Sequence, residues 1–475
     1  MRCTGIYGTP LLFIPVTQSS DNMKKFWNFL FGDREFNRKL ISLTLPISMQ
    51  NLMLALVAAA DALMLGKLNQ DAMAAVSLAT QVQFIQNMLL YSIVCGVGVL
   101  GAQYWGKKDK VVLGKIFGSS IREAMLVSLA FFVGCYYFPH ALMRLFASDP
   151  ILINIGAEYL KLASWSYLIT GVSQCYLAIM RVSDHATSSA WISSGAVVIN
   201  IIFNALFIFG LCGFPEMGVR GAAVATILAR VIELAACILC GLNKSFIRLQ
   251  LKMVFTFDRV LFCDFWRYSL PILASCLLWG IGFTSYTAIM GHLGRDAAAA
   301  NSIAAVVRDL ICCLCNGLAG ACGILIGNKL GAGELETGKL YGERTLILSI
   351  VAGFFSSLVI LSLIPLISNF VKLTEQAHYY MVWMFVILAF YMIGRSICGI
   401  VINGIFSSGG DTMFDMYILI IFMWCIALPC AFLGAFYFHL PVLLVYCCTC
   451  LDEVGKVPCV IIHFRKYKWV KNLTR

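Results

Sequence analysis

Charged side chains make up only 12% of the 475 residues, about half the share that soluble proteins carry, which excludes an ordinary cytosolic enzyme. There is also no hydrophilic stretch long enough for a nucleotide-binding domain and no Gly-x-x-x-x-Gly-Lys-Ser/Thr loop, so ATP-driven pumping is excluded. The six histidines, His140, His185, His292, His378, His439 and His463, fall in loops or near the ends of apolar runs and form no His-Glu-x-x-His pair. An embedded metalloenzyme therefore lacks its signature, and no enzyme activity is expected. Glycine and proline show no short period, which removes collagen-like and low-complexity classes. The 20 cysteines fall largely inside apolar stretches, as in Cys312-Cys313-Leu314-Cys315 and Cys447-Cys448-Thr449-Cys450. With no His or carboxylate at ligand spacing, they read as small apolar side chains. A signal peptide is missing too, since Leu11 to Val16 is short and interrupted by Pro15. Met23-Lys24-Lys25 reads as the native start, with the first 22 residues an extension.

What is present is apolar. Hydrophobic residues reach 60% of the chain and mean hydropathy is +0.85. Runs ended by charge, Gly or Pro predict twelve membrane helices near 40–65, 73–105, 116–138, 158–181, 188–212, 217–243, 261–290, 298–330, 343–369, 377–407, 412–438 and 440–464. The fold class is all-α integral membrane. With the start of the chain inside, the inner segments hold 24 Lys and Arg against 6 outside, the bias expected of cytoplasmic loops. The net charge of +11 thus belongs to topology, not to nucleic acid, and both termini are expected in the cytoplasm.

The halves repeat. Leu45-Pro46-Ile47 returns as Leu270-Pro271-Ile272, Asp71 as Asp296, Gly98 as Gly323 and Gly106 as Gly331, all at an offset of 225; Ser183-Asp184 returns as Gly410-Asp411 at 227. Two six-helix lobes follow, related by a pseudo-two-fold axis along the membrane normal because six crossings return the chain to the same side. The expected divisions are a cytoplasmic segment 1–38, a first lobe 39–243, a linker 244–260, a second lobe 261–464 and a basic tail 465–475.

Asp61 breaks the repeat, since its counterpart is Tyr286. A charged Asp near the bilayer centre costs about 2.5 to 3.5 kcal/mol on insertion scales. It either loads a proton or sodium ion there or sits among the outer headgroups as a helix-end residue. Asn200 and Asn204, four apart, share a helix face and supply amide oxygens for a cation or an interhelical hydrogen bond. Thr226, in the small-residue stretch Gly221-Ala222-Ala223-Val224-Ala225-Thr226, turns its hydroxyl to the same space or back to a carbonyl one turn earlier. Gln81 and Gln83 on the second run, Arg308 and Asp309 on the eighth and Arg395 on the tenth line a hydrated substrate cavity or make structural hydrogen bonds. Arg308 and Asp309 point about 100° apart and need not pair with each other, whereas Arg230 and Glu233 are expected to pair.

Together with Asn200-Ile201-Ile202-Phe203-Asn204 and Ser408-Gly409-Gly410-Asp411-Thr412, these motifs make the sequence similar to the multidrug and toxic compound extrusion (MATE) family, bacterial type, over roughly Lys39 to Lys468. The resemblance implies a V-shaped pair of lobes exporting drug-like, often cationic amphipathic molecules, driven by proton or sodium entry. It maps a first-lobe cation site onto Asp61, Asn200, Asn204 and Thr226, with Na+ possible at the first three and no other metal or cofactor. Some members carry a second carboxylate where Asn204 stands. Some bind a cation in the second lobe through carboxylates on helices seven and ten. Here those helices offer only Asp264 at a helix start and Arg395, so no second-lobe site is expected. A monomeric antiporter in a bacterial inner membrane, working by alternating access, is the reading. The alternative is a lipid-linked saccharide flippase of the same superfamily, for which Arg308 and Arg395 give a foothold.

Overall fold

In hydrocarbon each backbone N–H and C=O needs a partner within its own segment, and the apolar runs accordingly fold as long helices. The computed structural model describes residues 32–475 apart from 69, 244, 245, 248, 250 and 372. The Leu11 to Val16 run, the Met23 start and most of segment 1–38 lie outside the described residues, as do Lys244, Arg248 and Lys372. The first half comprises α1 (Arg34–Leu68), α2 (Gln70–Gly106), α3 (Lys110–Tyr137), α4 (Pro150–Val182), α5 (Ala186–Phe209) and α6 (Gly218–Gly241). The second comprises α7 (Arg259–His292), α8 (Arg295–Gly331), α9 (Leu335–Phe370), α10 (Glu375–Phe406), α11 (Thr412–Phe436) and α12, which is Val442–Val454 and Lys456–Arg465 on either side of Gly455. Helix α10 ends in a π-helical turn at Val401–Phe406, and α11 carries one in its middle at Ile420–Ala427.

Among the described residues, ten helices are long and apolar enough to cross a membrane. Helix α4 falls short because it is rich in Ser and Thr, yet Ser164, Ser166, Thr170 and Ser173 turn their hydroxyls onto carbonyls of the preceding turn, which satisfies them in place. Helix α12 falls short because it is broken. Several helices start earlier than the apolar pattern predicts. Asp109 and Asp149 cap α3 and α4 by accepting from Val112 N (3.1 Å) and Ile151 N (2.9 Å), so each helix begins at its cap, outside the greasy stretch.

Helix α4 packs against α2, α3 and α6, and α5 against α1 and α6; in the other lobe α10 packs against α8, α9 and α12, and α7 against α11. The lobes meet where α8 lies along α1 and α2, and α7 along α2. The repeat mates Gly106 and Gly331 each meet the other lobe's backbone across this seam: a Cβ on Gly106 would stand 1.9 Å from Asn328 O, and one on Gly331 1.9 Å from Gln103 O. Gln103 and Asn328 are themselves repeat mates, so the pseudo-two-fold axis runs between these pairs. Further along, Ser48 Oγ donates to Leu314 O (3.5 Å), and Phe84 and Met88 lie against Gly280. These last contacts reach the middle of the helices, whereas the Gly106 and Gly331 contacts mark the end where α1 begins and α2 finishes, hereafter the basic end.

Both ends of the described chain cross to the opposite lobe there. Phe36, Leu40, Leu43 and Ile47 of α1 share a buried core with Leu325, Ile397 and Phe406 of the second lobe, and Asp33 pairs with Arg344 of α9 at 2.7 Å. After α12 the chain returns the exchange. Trp469 is fully buried, stacked on Phe464 and seated over Gly342. Gln103 of α2 donates to Lys471 O (3.1 Å) and Ser408 O (2.7 Å) and accepts from Leu473 N (2.6 Å). Arg475 reaches Asp264 of α7 at 3.0 Å.

Candidate functional site

The four first-lobe residues form one chain of hydrogen bonds across three helices. Asn204 Nδ2 donates to Asp61 Oδ1 at 2.5 Å and to Asn200 Oδ1 at 3.2 Å. Asn200 Nδ2 in turn donates to Thr226 Oγ1 at 3.4 Å, and Thr226 Oγ1 donates to Ala222 O at 3.0 Å. Both options for Thr226 are thus realised at once. Helix periodicity explains the arrangement: the i, i+4 spacing stacks the two amides on the face of α5 that meets α1 and α6. Asn200 and Asn204 are buried and Asp61 is half-buried. Helix α1 continues to Leu68, so Asp61 lies within the helix. Asn204 Oδ1 has no partner among the described residues, which leaves one amide oxygen near the Asp61 carboxylate to meet a cation. One turn beyond Thr226, Arg230 pairs with Glu233 at 2.7 Å, as expected.

Of the residues read as a substrate cavity, Arg308 and Arg395 lie over neighbouring turns of α7, at Phe283 and at Trp279 (6.0 Å). Gln81 is exposed and Gln83 half-buried. Gln81 lies three residues before Phe84, on the α2 stripe that faces α7, and Gln83 is turned away from it. Arg308 and Asp309, which need not have paired, do so at 2.8 Å: the long Arg side chain folds back to its neighbour while stacking over Phe283 at 4.1 Å. Arg395 is committed to Glu453 at 2.6 Å.

Glu453 belongs to a group that the sequence reading missed. Asp452, Glu453 and Lys456 are buried on α12, with Lys456 at 3.4 Å from Glu453. The signal was available as an Asp-Glu-x-x-Lys cluster inside the apolar run 440–464, where each charge calls for a partner. Gln86 of α2 donates to Tyr167 O (3.2 Å) and so ties α2 to α4.

The MatE family model matches residues 46–206 and 271–433, one stretch in each half and together more than half of the chain. The two stretches open at the repeat mates Pro46 and Pro271. The chain is 26% identical over 460 residues to the probable multidrug resistance protein NorM of Thermotoga maritima, covering 93% of this chain and 95% of that protein. It is 25% identical over 407 residues to the uncharacterized transporter YisQ of Bacillus subtilis, covering 85% and 88%. The bent form of the Vibrio cholerae MATE transporter VcmN superposes with a TM-score of 0.83 at 16% identity, over 92% of this chain and 98% of that one. A MOP superfamily transporter from Pyrococcus furiosus gives 0.82 at 17%, over 93% and 97%. These superpositions agree in fold, with twelve helices in two lobes, and the matched stretches fall on the repeat read from the sequence: the chain belongs to the MatE family.

Proposed function

We propose that this protein is a secondary active multidrug exporter that antiports drug-like, often cationic amphipathic molecules against H+ or Na+ by alternating access, with both chain ends on the cytoplasmic side of a bacterial plasma membrane. Relatives named as multidrug resistance proteins support the substrate class. The observation that carries the coupling is the contact of Asn204 with Asp61, because of the helix on which Asp61 stands. The first turns of α1 are buried in the second-lobe core, while its later turns bind α5 of the first lobe. A charge-assisted hydrogen bond is about twice as strong as a neutral one. Loading Asp61 with a cation therefore weakens its hold on Asn204 and loosens a helix anchored in both lobes. The Gly106 and Gly331 contacts close the seam at the basic end, which suits a V open at the other end for release.

One charge moving inward yields about 2.3 kcal/mol per 100 mV, and about 1.4 kcal/mol is a factor of ten, so a single coupling ion sustains tens-fold accumulation. The two conformations must differ in affinity for the ion, since equal affinity shifts nothing. The test is Asp61→Asn in proteoliposomes with an imposed proton or sodium gradient and ethidium as probe. Gradient-driven accumulation is lost while downhill equilibration persists; undiminished accumulation overturns the assignment.

A further inference from the structure

The linker that joins α6 to α7 carries two exposed phenylalanines outside every predicted crossing. Its residues Leu251–Phe255 form a short turn of helix with two unlike sides. Met253 and Val254 lie on α3: a Cβ on Gly118 would meet Met253 O at 2.7 Å and Val254 N at 2.9 Å, and Met253 Sδ stands over Gly114. Lys252 and Phe255, three apart and so on one face, are exposed. Phe255 is 84% exposed and Phe257 59%. Depth decides what covers them. Helix α3 has 28 residues, about 42 Å at 1.5 Å each, against about 30 Å for the hydrocarbon core. Tyr136 and Tyr137 close its far end, where aromatic side chains sit at the headgroup level. Hydrocarbon therefore begins about 12 Å in from Lys110, at Gly118, where the linker crosses. The two rings stand at the boundary of headgroups and acyl chains, the level at which an amphipathic segment lying flat buries its apolar side.

The charges around the rings choose the lipid. Both acids of the patch are taken, Asp258 by Lys115 at 3.2 Å and Glu123 by Arg122 at 3.1 Å. Arg122 also lies over the Phe257 ring at 5.2 Å and donates to Thr256 O at 3.4 Å, which holds that ring in place. Lys252 and Arg259, on either side of the rings, are exposed and have no ion-pair partner among the described residues. An apolar centre with a basic rim complements an anionic leaflet, to which each Lys or Arg adds attraction. We infer that residues 252–259 are an interfacial anchor that docks the linker on anionic phospholipid at the basic end, with Phe255 and Phe257 inserted among the acyl chains and Lys252 and Arg259 on the phosphates. The anchor does not depend on ion coupling at Asp61.

The test is amide hydrogen exchange of the full-length chain in nanodiscs of phosphatidylcholine, with and without phosphatidylglycerol. With the anionic lipid, exchange over 252–257 slows about fivefold, the effect of one Lys or Arg at an anionic surface, and exchange around Asn200 and Asn204 stays the same. Lys252→Gln with Arg259→Gln removes the difference between the lipids. Phe255→Ser with Phe257→Ser quickens exchange over 252–257 in both. Equal exchange of the wild-type segment in the two lipids overturns the inference; if it is fast in both, the patch belongs to a protein partner instead. Slowing spread over the whole chain, or a lipid difference that survives Lys252→Gln with Arg259→Gln, overturns it as well.

Discussion

Hydrogen bonds around Asp61 differ in what their loss removes. Asn204 contacts the carboxylate directly at 2.5 Å, whereas Thr226 touches only Asn200, at 3.4 Å. A bond to a charged group is worth about 1.5 to 3 kcal/mol and an ordinary one about 1. Gradient-driven efflux should therefore fall tens-fold in Asn204→Leu and only severalfold in Thr226→Val, measured in the same proteoliposomes; the opposite order would remove Asn204 from the coupling path. The first-lobe residues were legible in the sequence because three independent cues converge: a lone acid that breaks the repeat, an i, i+4 amide pair and a small-residue stretch. Pairing of Arg308 with Asp309 was not legible, since the reach of a flexible guanidinium is set by its surroundings and not by where its Cα points.

At the scale of elements, the repeat and the apolar runs gave all twelve helices, because lipid imposes a composition on every crossing. They could not give helix ends, which are fixed by single capping side chains, nor the break in α12. Asp33 shows how much one cap does. The backbone N–H of Phe36 (3.0 Å), joined by Arg344 (2.7 Å), holds its carboxyl below the usual carboxylate range against the opposing effect of burial. A carboxyl depressed in the folded state adds stability above its unfolded value of about 3.9, and that stability is lost as pH falls through the folded value. Asp33→Ala should cost about 1 kcal/mol at pH 7, read as a lower melting temperature of the purified protein. The gap to wild type should hold down to about pH 5 and close below about pH 4; a gap that persists in acid would assign the loss to packing alone.

Across the whole molecule, the seam between lobes is closed by segments far apart in sequence, and such pairings leave no local period to read. Gln103 carries much of that closure, and Trp469 anchors the tail that reaches it. Trp469→Ala should cost about 3 to 5 kcal/mol and release residues 469–475 from α2. Hydrogen exchange should then quicken at 102–106 and 327–331 and stay unchanged around Asp61 and Asn204; uniform quickening would show general loosening instead. The exchange of ends between lobes also bears on how the protein is made. Gln103 waits for Leu473, 370 residues further along the chain, and at about 5 to 20 residues per second that is roughly 20 to 70 s of translation. During that interval the first bundle already sits in the bilayer with this amide still awaiting its final mates, so water or the insertion machinery must shelter it until synthesis reaches the closing segment.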